Sequence, residues 1–169
     1  MKVKFKKLRE NAKLPVKKHD GDFCYDVYAC TCEEVAPNVY KYMLGFALQI
    51  EGYERVFLDE MVPGPYYERM KTTTKSSEEC DLSIDFRPRS SIWETGMVLA
   101  NSCGTGDRPY TGEYAAYFYH VVPELPIYKV GDRILQMKIG FTLPIEFEVV
   151  DELDETERGD GGFGSTGKN

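Results

Sequence analysis

The stretch Gly131-Asp132-Arg133-Ile134-Leu135-Gln136-Met137-Lys138-Ile139-Gly140-Phe141 decides the fold. A Gly-Asp turn opens it, and a run rich in isoleucine, leucine and phenylalanine follows with no helical repeat, which predicts a strand entered from a turn. Working outward, similar runs recur at residues 3–8, 39–50, 82–86, 97–99, 114–122 and 145–150. Pro37-Asn38, Pro63-Gly64-Pro65 and Pro144 punctuate them, as turn residues do between strands. Helical periodicity is scarce; residues 66–71 and 92–95 have room for a helical turn or two. The pattern predicts an all-β domain: a sandwich, barrel or jelly roll.

The chain has 169 residues, 19.3 kDa and a hydrophobic fraction of 42%, enough for one core and most simply one domain. A net charge of −7 and a pI near 5.0 argue against general nucleic-acid binding. Charge is uneven. Residues 1–18 carry eight Lys/Arg against Glu10, while residues 151–160 carry six acids and Arg158. Val3 and Phe5 alternate with lysines, which suits an edge strand guarded against aggregation better than a nucleic-acid arm. No apolar run approaches a membrane span, and no signal peptide follows the basic start. The expectation is a soluble, cytoplasmic protein that meets neither nucleic acid nor membrane. Its five cysteines are an odd count that points to reduced thiols, and Cys30-x-Cys32 is too tight for a usual zinc knuckle. Residues 61–80 are polar, with Thr72-Thr73-Thr74 and Ser76-Ser77, and read as a surface excursion.

Five segments carry chemistry. Arg158-Gly159-Asp160-Gly161-Gly162-Phe163-Gly164-Ser165-Thr166-Gly167 cannot build a core. Its glycines let backbone amides turn toward an anion, Ser165 and Thr166 add hydroxyls, and Arg158 adds a fork suited to phosphate. Phe163 offers a face on which a base could stack. Read alone, the segment is either a nucleotide lid or a floppy terminus. Asp22-Phe23-Cys24-Tyr25-Asp26-Val27-Tyr28-Ala29 sets Asp26 in an alternating pattern. Arg87-Pro88-Arg89-Ser90-Ser91 is a basic turn with two hydroxyls. Asn101-Ser102-Cys103-Gly104-Thr105-Gly106-Asp107-Arg108-Pro109-Tyr110-Thr111-Gly112-Glu113 reads as a glycine-rich hairpin. There Asp107 is either a turn carboxylate bonding its own backbone or a functional group, and Tyr110 either a core aromatic or a ligand platform. Gly131–Gln136 is the remaining segment, a turn opening a strand.

Taken in chain order, the five segments resemble the motifs of the trimeric deoxyuridine triphosphatase (dUTPase) family, over roughly residues 3–167. The match is tightest at Pro88-Arg89-Ser90-Ser91, at Gly131-Asp132-Arg133-Ile134-x-Gln136 and at residues 158–167. In the hairpin, Gly104, Asp107, Tyr110, Gly112 and Glu113 fall where the family has them. The chain departs from the family at Gly106, where Ile or Val is usual, at Pro109, Thr111 and Cys24, and in the longer segment between the first two motifs.

The resemblance implies a jelly-roll domain over residues 1–150, a flexible lid arm over 151–169, and hydrolysis of dUTP to dUMP and pyrophosphate by water attack on the α-phosphorus. It implies that Asp107 is the general base and that Tyr110 packs under the deoxyribose. Gly104 and Asn101 with the hairpin backbone would read uracil, and Phe163 would stack on it. Arg89, Ser90, Ser91 and Gln136 are assigned to the phosphates, joined from the arm by Arg158, Gly164, Ser165 and Thr166. Mg2+ would sit mainly on the substrate phosphates. Asp26 either holds water on that ion or pairs with Arg133. A homotrimer with shared active sites is implied as well. Two rivals stand beside this reading. One is a dCTP deaminase, which needs a glutamate on the strand after the hairpin, where this chain has Tyr114-Ala115-Ala116-Tyr117-Phe118-Tyr119-His120. The other is a nucleotide-responsive regulatory protein on the same scaffold, motivated by residues 61–80.

Overall fold

Three antiparallel sheets make up the described chain, which in this computed structural model comprises residues 2–51, 81–142, 145–157 and 159. Its strands are β1 (Lys2–Lys7), β2 (Tyr25–Tyr28), β3 (Glu33–Ala36), β4 (Val39–Met43), β5 (Phe46–Glu51), β6 (Asp81–Pro88), β7 (Met97–Leu99), β8 (Gly104–Asp107), β9 (Ala115–His120) and β10 (Arg133–Thr142). One 3-10 helix, η1 (Ser90–Glu94), lies between β6 and β7. The sheets run β1-β5, β2-β10-β6-β8 and β3-β4-β9-β7. Among the described residues no helix is long and apolar enough to cross a membrane.

β10 is the spine of the large sheet. It pairs with β6 from Leu135↔Pro88 to Thr142↔Asp81 and with β2 on its other side. Leu135 and Met137 face inward while Gln136 and Lys138 face out, the period of two that a half-buried strand requires. Ile134 is buried too, because the β2–β10 register shifts between Arg133 and Leu135 and turns two successive residues inward. The core between the sheets is aromatic at its centre. Tyr42 meets Phe118 edge-on at 5.5 Å, Phe118 meets Tyr128 at 5.5 Å, and the Tyr42 hydroxyl donates to the Tyr128 carbonyl at 3.0 Å. Edge-to-face rings with a satisfied hydroxyl are a stable way to bury tyrosine.

The expected strands at 3–8, 82–86, 97–99, 114–122 and 134–141 are found within a few residues, as β1, β6, β7, β9 and β10. β1 is paired on one side, with β5, and Lys2 and Lys4 reach Glu51. Three expectations change. The run 39–50 is broken into β4 and β5 at Leu44-Gly45, because Gly45 has φ 79° and its amide and carbonyl leave the ladder. A Cβ there would strike Cys30 Sγ and come within 2.9 Å of Ala12 Cβ, so only glycine fits. Residues 145–150 form no strand among the described residues, where they pair with no other segment, and Phe147 and Val149 are 86% and 97% exposed. Residues 92–95 contribute to η1, a turn shared with Ser90 and Ser91. The excursion at 61–80 lies outside the described residues, as does 66–71. β8 carried no strand signal, having two glycines in four residues; its pairing with β6 makes it one.

Candidate functional site

The outward face of the large sheet is polar, and register fixes what stands beside what. Ser83 on β6 is opposite Asp107 on β8 and Gly140 on β10. Asp85 is opposite Thr105 and Lys138. Arg87 is opposite Gln136, which in turn is opposite Asp26 on β2. Residues so paired share a face with Cβ atoms about 4.5–5.5 Å apart. The result is two candidate clusters toward the two ends of β6.

The first cluster centres on Asp26. Its Oδ1 accepts from Arg89 Nε at 2.8 Å and its Oδ2 from Arg133 Nη1 at 2.8 Å. The Asp26 side chain is only 15% exposed, so two cations offset the loss of water around the carboxylate. Arg89 also reaches Ser91 Oγ at 3.3 Å, and its carbonyl accepts from Ile92 N to start η1. Gln136 Nε2 donates to the Pro88 carbonyl at 3.0 Å, which ties β10 to the basic turn. Arg89, Ser90, Ser91, Gln136 and Asp26 thus gather at one end. Of the two readings of Asp26, pairing with Arg133 is present, and Arg89 joins it.

The second cluster is the hairpin after β8. Tyr110 N donates to the Asp107 carbonyl at 3.0 Å and closes the turn. The Tyr110 ring folds back over Gly112, where a Cβ would come within 2.5 Å of the phenol oxygen, and its hydroxyl donates to the Glu113 carbonyl at 3.0 Å. It meets Tyr114 at 5.2 Å. Tyr110 is therefore a half-exposed hairpin platform and not a core residue. Asp107, at the end of β8, is exposed. Tyr114 is buried against Phe46 and Phe86, and that burial pushes its phenol up to about 12, with the neighbouring Tyr110 and Asp107 adding to it. Gly106 makes room for it: a Cβ at 106 would lie 2.8 Å from Tyr114 Cε1. Asn101 and Gly104 border a cleft of about 340 Å3 lined also by Phe86, Leu99, Tyr117 and Leu135.

The clusters do not meet within one chain. Asp107 stands beside Ser83, and Arg89 lies six residues on from Ser83, just past the end of β6, roughly 20 Å at strand rise. Among the described residues no three His, Cys, Asp or Glu side chains come together to hold a metal. Arg158, Phe163, Gly164, Ser165 and Thr166 lie outside the described residues; Gly159, at φ 50°, donates to the Thr156 carbonyl at 3.1 Å. Arg9 was not among the expected residues. Its guanidinium holds the Glu113 carboxylate from 104 residues away in sequence, and no local pattern announces such a pair.

Fold and clusters together define a class: an all-β jelly roll with a carboxylate-bearing hairpin and an arginine–glutamine cluster on one sheet face. The chain belongs to the dUTPase family, whose model matches residues 71–167. Deoxyuridine 5'-triphosphate nucleotidohydrolases are among its relatives. That of Hydrogenobaculum sp. is 32% identical over 172 residues, covering 99% of each chain, and that of Corynebacterium glutamicum is 30% identical over 98% of this chain and 95% of its own. Among solved structures, a point mutant of Staphylococcus bacteriophage 80alpha dUTPase with dUpNHpp superposes with a TM-score of 0.71 over 99% of both chains at 18% identity. A phage phi11 dUTPase described with a structural Mg(II) ion gives 0.62 over 90% of this chain and 98% of its own at 16% identity. At these identities the structural likeness speaks to the jelly-roll fold.

Proposed function

We propose that this chain hydrolyses dUTP to dUMP and pyrophosphate in the cytoplasm, limiting uracil in DNA and supplying dUMP for thymidylate synthesis. The observation that carries the reading is the hairpin, where one closed turn sets the Asp107 carboxylate three residues from an aromatic platform that lies over Gly112. Asp107 takes a proton from the water that attacks the α-phosphorus, a role worth about 10²–10⁴-fold. Tyr110 lies under the deoxyribose and leaves no room for a 2′-hydroxyl. Asn101, Gly104 and the hairpin backbone present the polar edge that uracil matches and the amino group of cytosine does not, a mismatch worth about 10⁴-fold or more. The methyl of thymine meets the hairpin floor.

Arg89, Ser90, Ser91 and Gln136 take the phosphates. Ser90 is the donor near the scissile bond, where charge grows in the transition state. Asp26 aims Arg89 through its 2.8 Å bond, and with an arginine on each oxygen it suits a contact to a metal through water better than direct ligation. A magnesium carried by the substrate phosphates fits this scarcity of protein ligands, and when bound it neutralises phosphate charge. The arm completes the site: Phe163 on the base, and Arg158, Gly164, Ser165 and Thr166 on the β- and γ-phosphates. Ordering it costs about 1–2 kcal/mol per residue, which only a full triphosphate offsets.

A general base must come within hydrogen-bond reach of its water, so a hairpin and an arginine turn some 20 Å apart along β6 call for two chains. A cyclic homotrimer, with Asp107 from one subunit and Arg89 from the next, supplies them. The exposed alternation Ile145-Glu146-Phe147-Glu148-Val149 supports the same reading, since a segment patterned to pair as a strand can do so on a neighbouring subunit's edge. The deaminase alternative gains nothing from β9, whose six residues Ala115–His120 include no carboxylate. Two measurements test the proposal. Pyrophosphate release from dUTP is expected, with no ammonia from dCTP; the reverse refutes the substrate. Asp107→Asn and Arg89→Ala should each be nearly inactive, yet refolded together they should regain activity at about a quarter of the sites by random assortment. A mixture as dead as its components refutes shared sites.

A further inference from the structure

Glu113 is held from both of its ends. Its carboxylate, 19% exposed, receives Arg9 Nε on one oxygen, Arg9 Nη2 at 2.9 Å on the other, and Gly45 N at 3.1 Å. A forked, bidentate arginine–carboxylate pair fixes direction as well as distance. The main chain of the same residue carries the carbonyl that accepts the Tyr110 hydroxyl at 3.0 Å. Arg9 is itself anchored: its amide donates to the Gly45 carbonyl at 3.2 Å, beside Leu8 N at 2.8 Å. The turn between β4 and β5, the segment after β1 and the descending limb of the hairpin therefore close on one another through Glu113.

Tyr110 depends on that closure. Its ring is 45% exposed, so packing alone does not fix its tilt. What holds it is the hydroxyl bond to Glu113, one face against Tyr114 at 5.2 Å, and the glycine below. Remove Arg9 and a largely desolvated carboxylate keeps one amide of its three donors. It then gains by turning toward water, and the adjoining carbonyl moves with it.

We propose that Arg9 is a positioning residue for sugar selection: through Glu113 it fixes the Tyr110 ring at the height that admits deoxyribose and refuses ribose. The inference rests on Tyr110 being the sugar platform, as proposed above. It assigns a specificity role to a residue outside all five motifs. Arg9 touches no substrate, so its loss should act on the difference between substrates more than on the chemical step.

The test compares Arg9→Ala, Glu113→Gln and the double variant with the parent. The expected result is a fall of about tenfold in the ratio of kcat/KM for dUTP over UTP, arising mostly from better use of UTP, with the double variant no worse than either single one. Hydrogen exchange of the Asp107 to Glu113 amides should quicken while the β6 and β10 amides keep their protection. Should Arg9→Ala yield little folded protein, Arg9→Lys carries the same measurements, since it keeps the charge but loses the fork. A ratio within about twofold of the parent, with only the melting temperature lowered, would show a merely structural pair and overturn the inference; unchanged hairpin exchange would overturn it as well. If the parent releases no pyrophosphate from dUTP, the substrate reading fails by itself, and hairpin exchange still decides whether Arg9 holds Tyr110.

Discussion

Gly106 precedes the proposed base at a position where the family usually carries Ile or Val, and it predicts its own mutational signature. Its φ lies outside the left-handed region, so alanine is conformationally acceptable there and by unfolded-state entropy alone would stabilise by about 0.4–1 kcal/mol. The structure predicts the opposite sign. A Cβ at 106 lies 2.8 Å from Tyr114 Cε1, against an optimal carbon–carbon separation of about 3.5–4.0 Å. The ring has nowhere to go: it is 6% exposed and set against Phe46 at 5.9 Å, Phe86 at 5.0 Å and Tyr110 at 5.2 Å. Overpacking of this kind costs about 1–3 kcal/mol. The net for Gly106→Ala is then a loss centred on about 1 kcal/mol, or roughly 2–4 °C in melting temperature for a chain of this size. Gly106→Ile should cost more. Tyr114→Val should cost about 2–4 kcal/mol by leaving a cavity. Combined, Ile occupies the space the ring vacates, so the double variant should be more stable than the sum of its parts by about 1–3 kcal/mol. Thermal melts at one fixed protein concentration measure all four. Gly106→Ala at or above parental stability, or strict additivity in the double variant, would refute the claim that glycine and tyrosine here share one volume.

Three more outcomes are expected. Gly45→Ala should leave little folded protein, because it combines a positive φ with a Cβ against Cys30 Sγ and Ala12; solubility and circular dichroism check it, and a normally folded variant would contradict the turn geometry. Alkaline stability should fall between about pH 10 and 12: burial raises Tyr114, and Tyr42 and Tyr128 likewise, so the folded state keeps protons that the unfolded chain releases above its ordinary tyrosine pKa. Urea midpoints against pH should show the decline, and Tyr114→Phe should make it shallower; an unchanged slope would argue against burial as the cause. Truncation after Glu157 should leave a folded chain with its melting temperature kept and dUTP turnover largely lost; full turnover would remove the lid.

How much of this was legible beforehand depends on whether a feature is local. β10 declared itself through a turn and an apolar run, and the turn that carries Asp107 and Tyr110 through its glycines, because these are properties of neighbouring residues. Where local patterning failed, a distant partner decided. Residues 39–50 read as one strand, but Cys30 and Ala12 crowd the turn at Gly45 and break it. Residues 145–150 alternate like a strand, but alternation only offers an edge, and none of the described residues takes it. Two glycines hid β8, which β6 holds in register.

The same distinction explains the odd hairpin. Judged by position, Gly106 is a weakened strand residue and Tyr114 an ordinary aromatic on the far limb. Judged by space, they are one feature, since the ring fills what a branched side chain at 106 would fill. Arg9 and Glu113 form a second such pair across the fold, joining the start of the chain to the limb that carries Tyr110. The proposed hairpin chemistry needs Asp107 and Tyr110 at a fixed spacing, and it places no demand on which residues supply the support. Substitution in the support is therefore tolerated only in complementary pairs, one partner making room or charge for the other. It follows that exchanging Gly106 or Arg9 singly for a relative's residue should harm the enzyme more than exchanging both members of its pair.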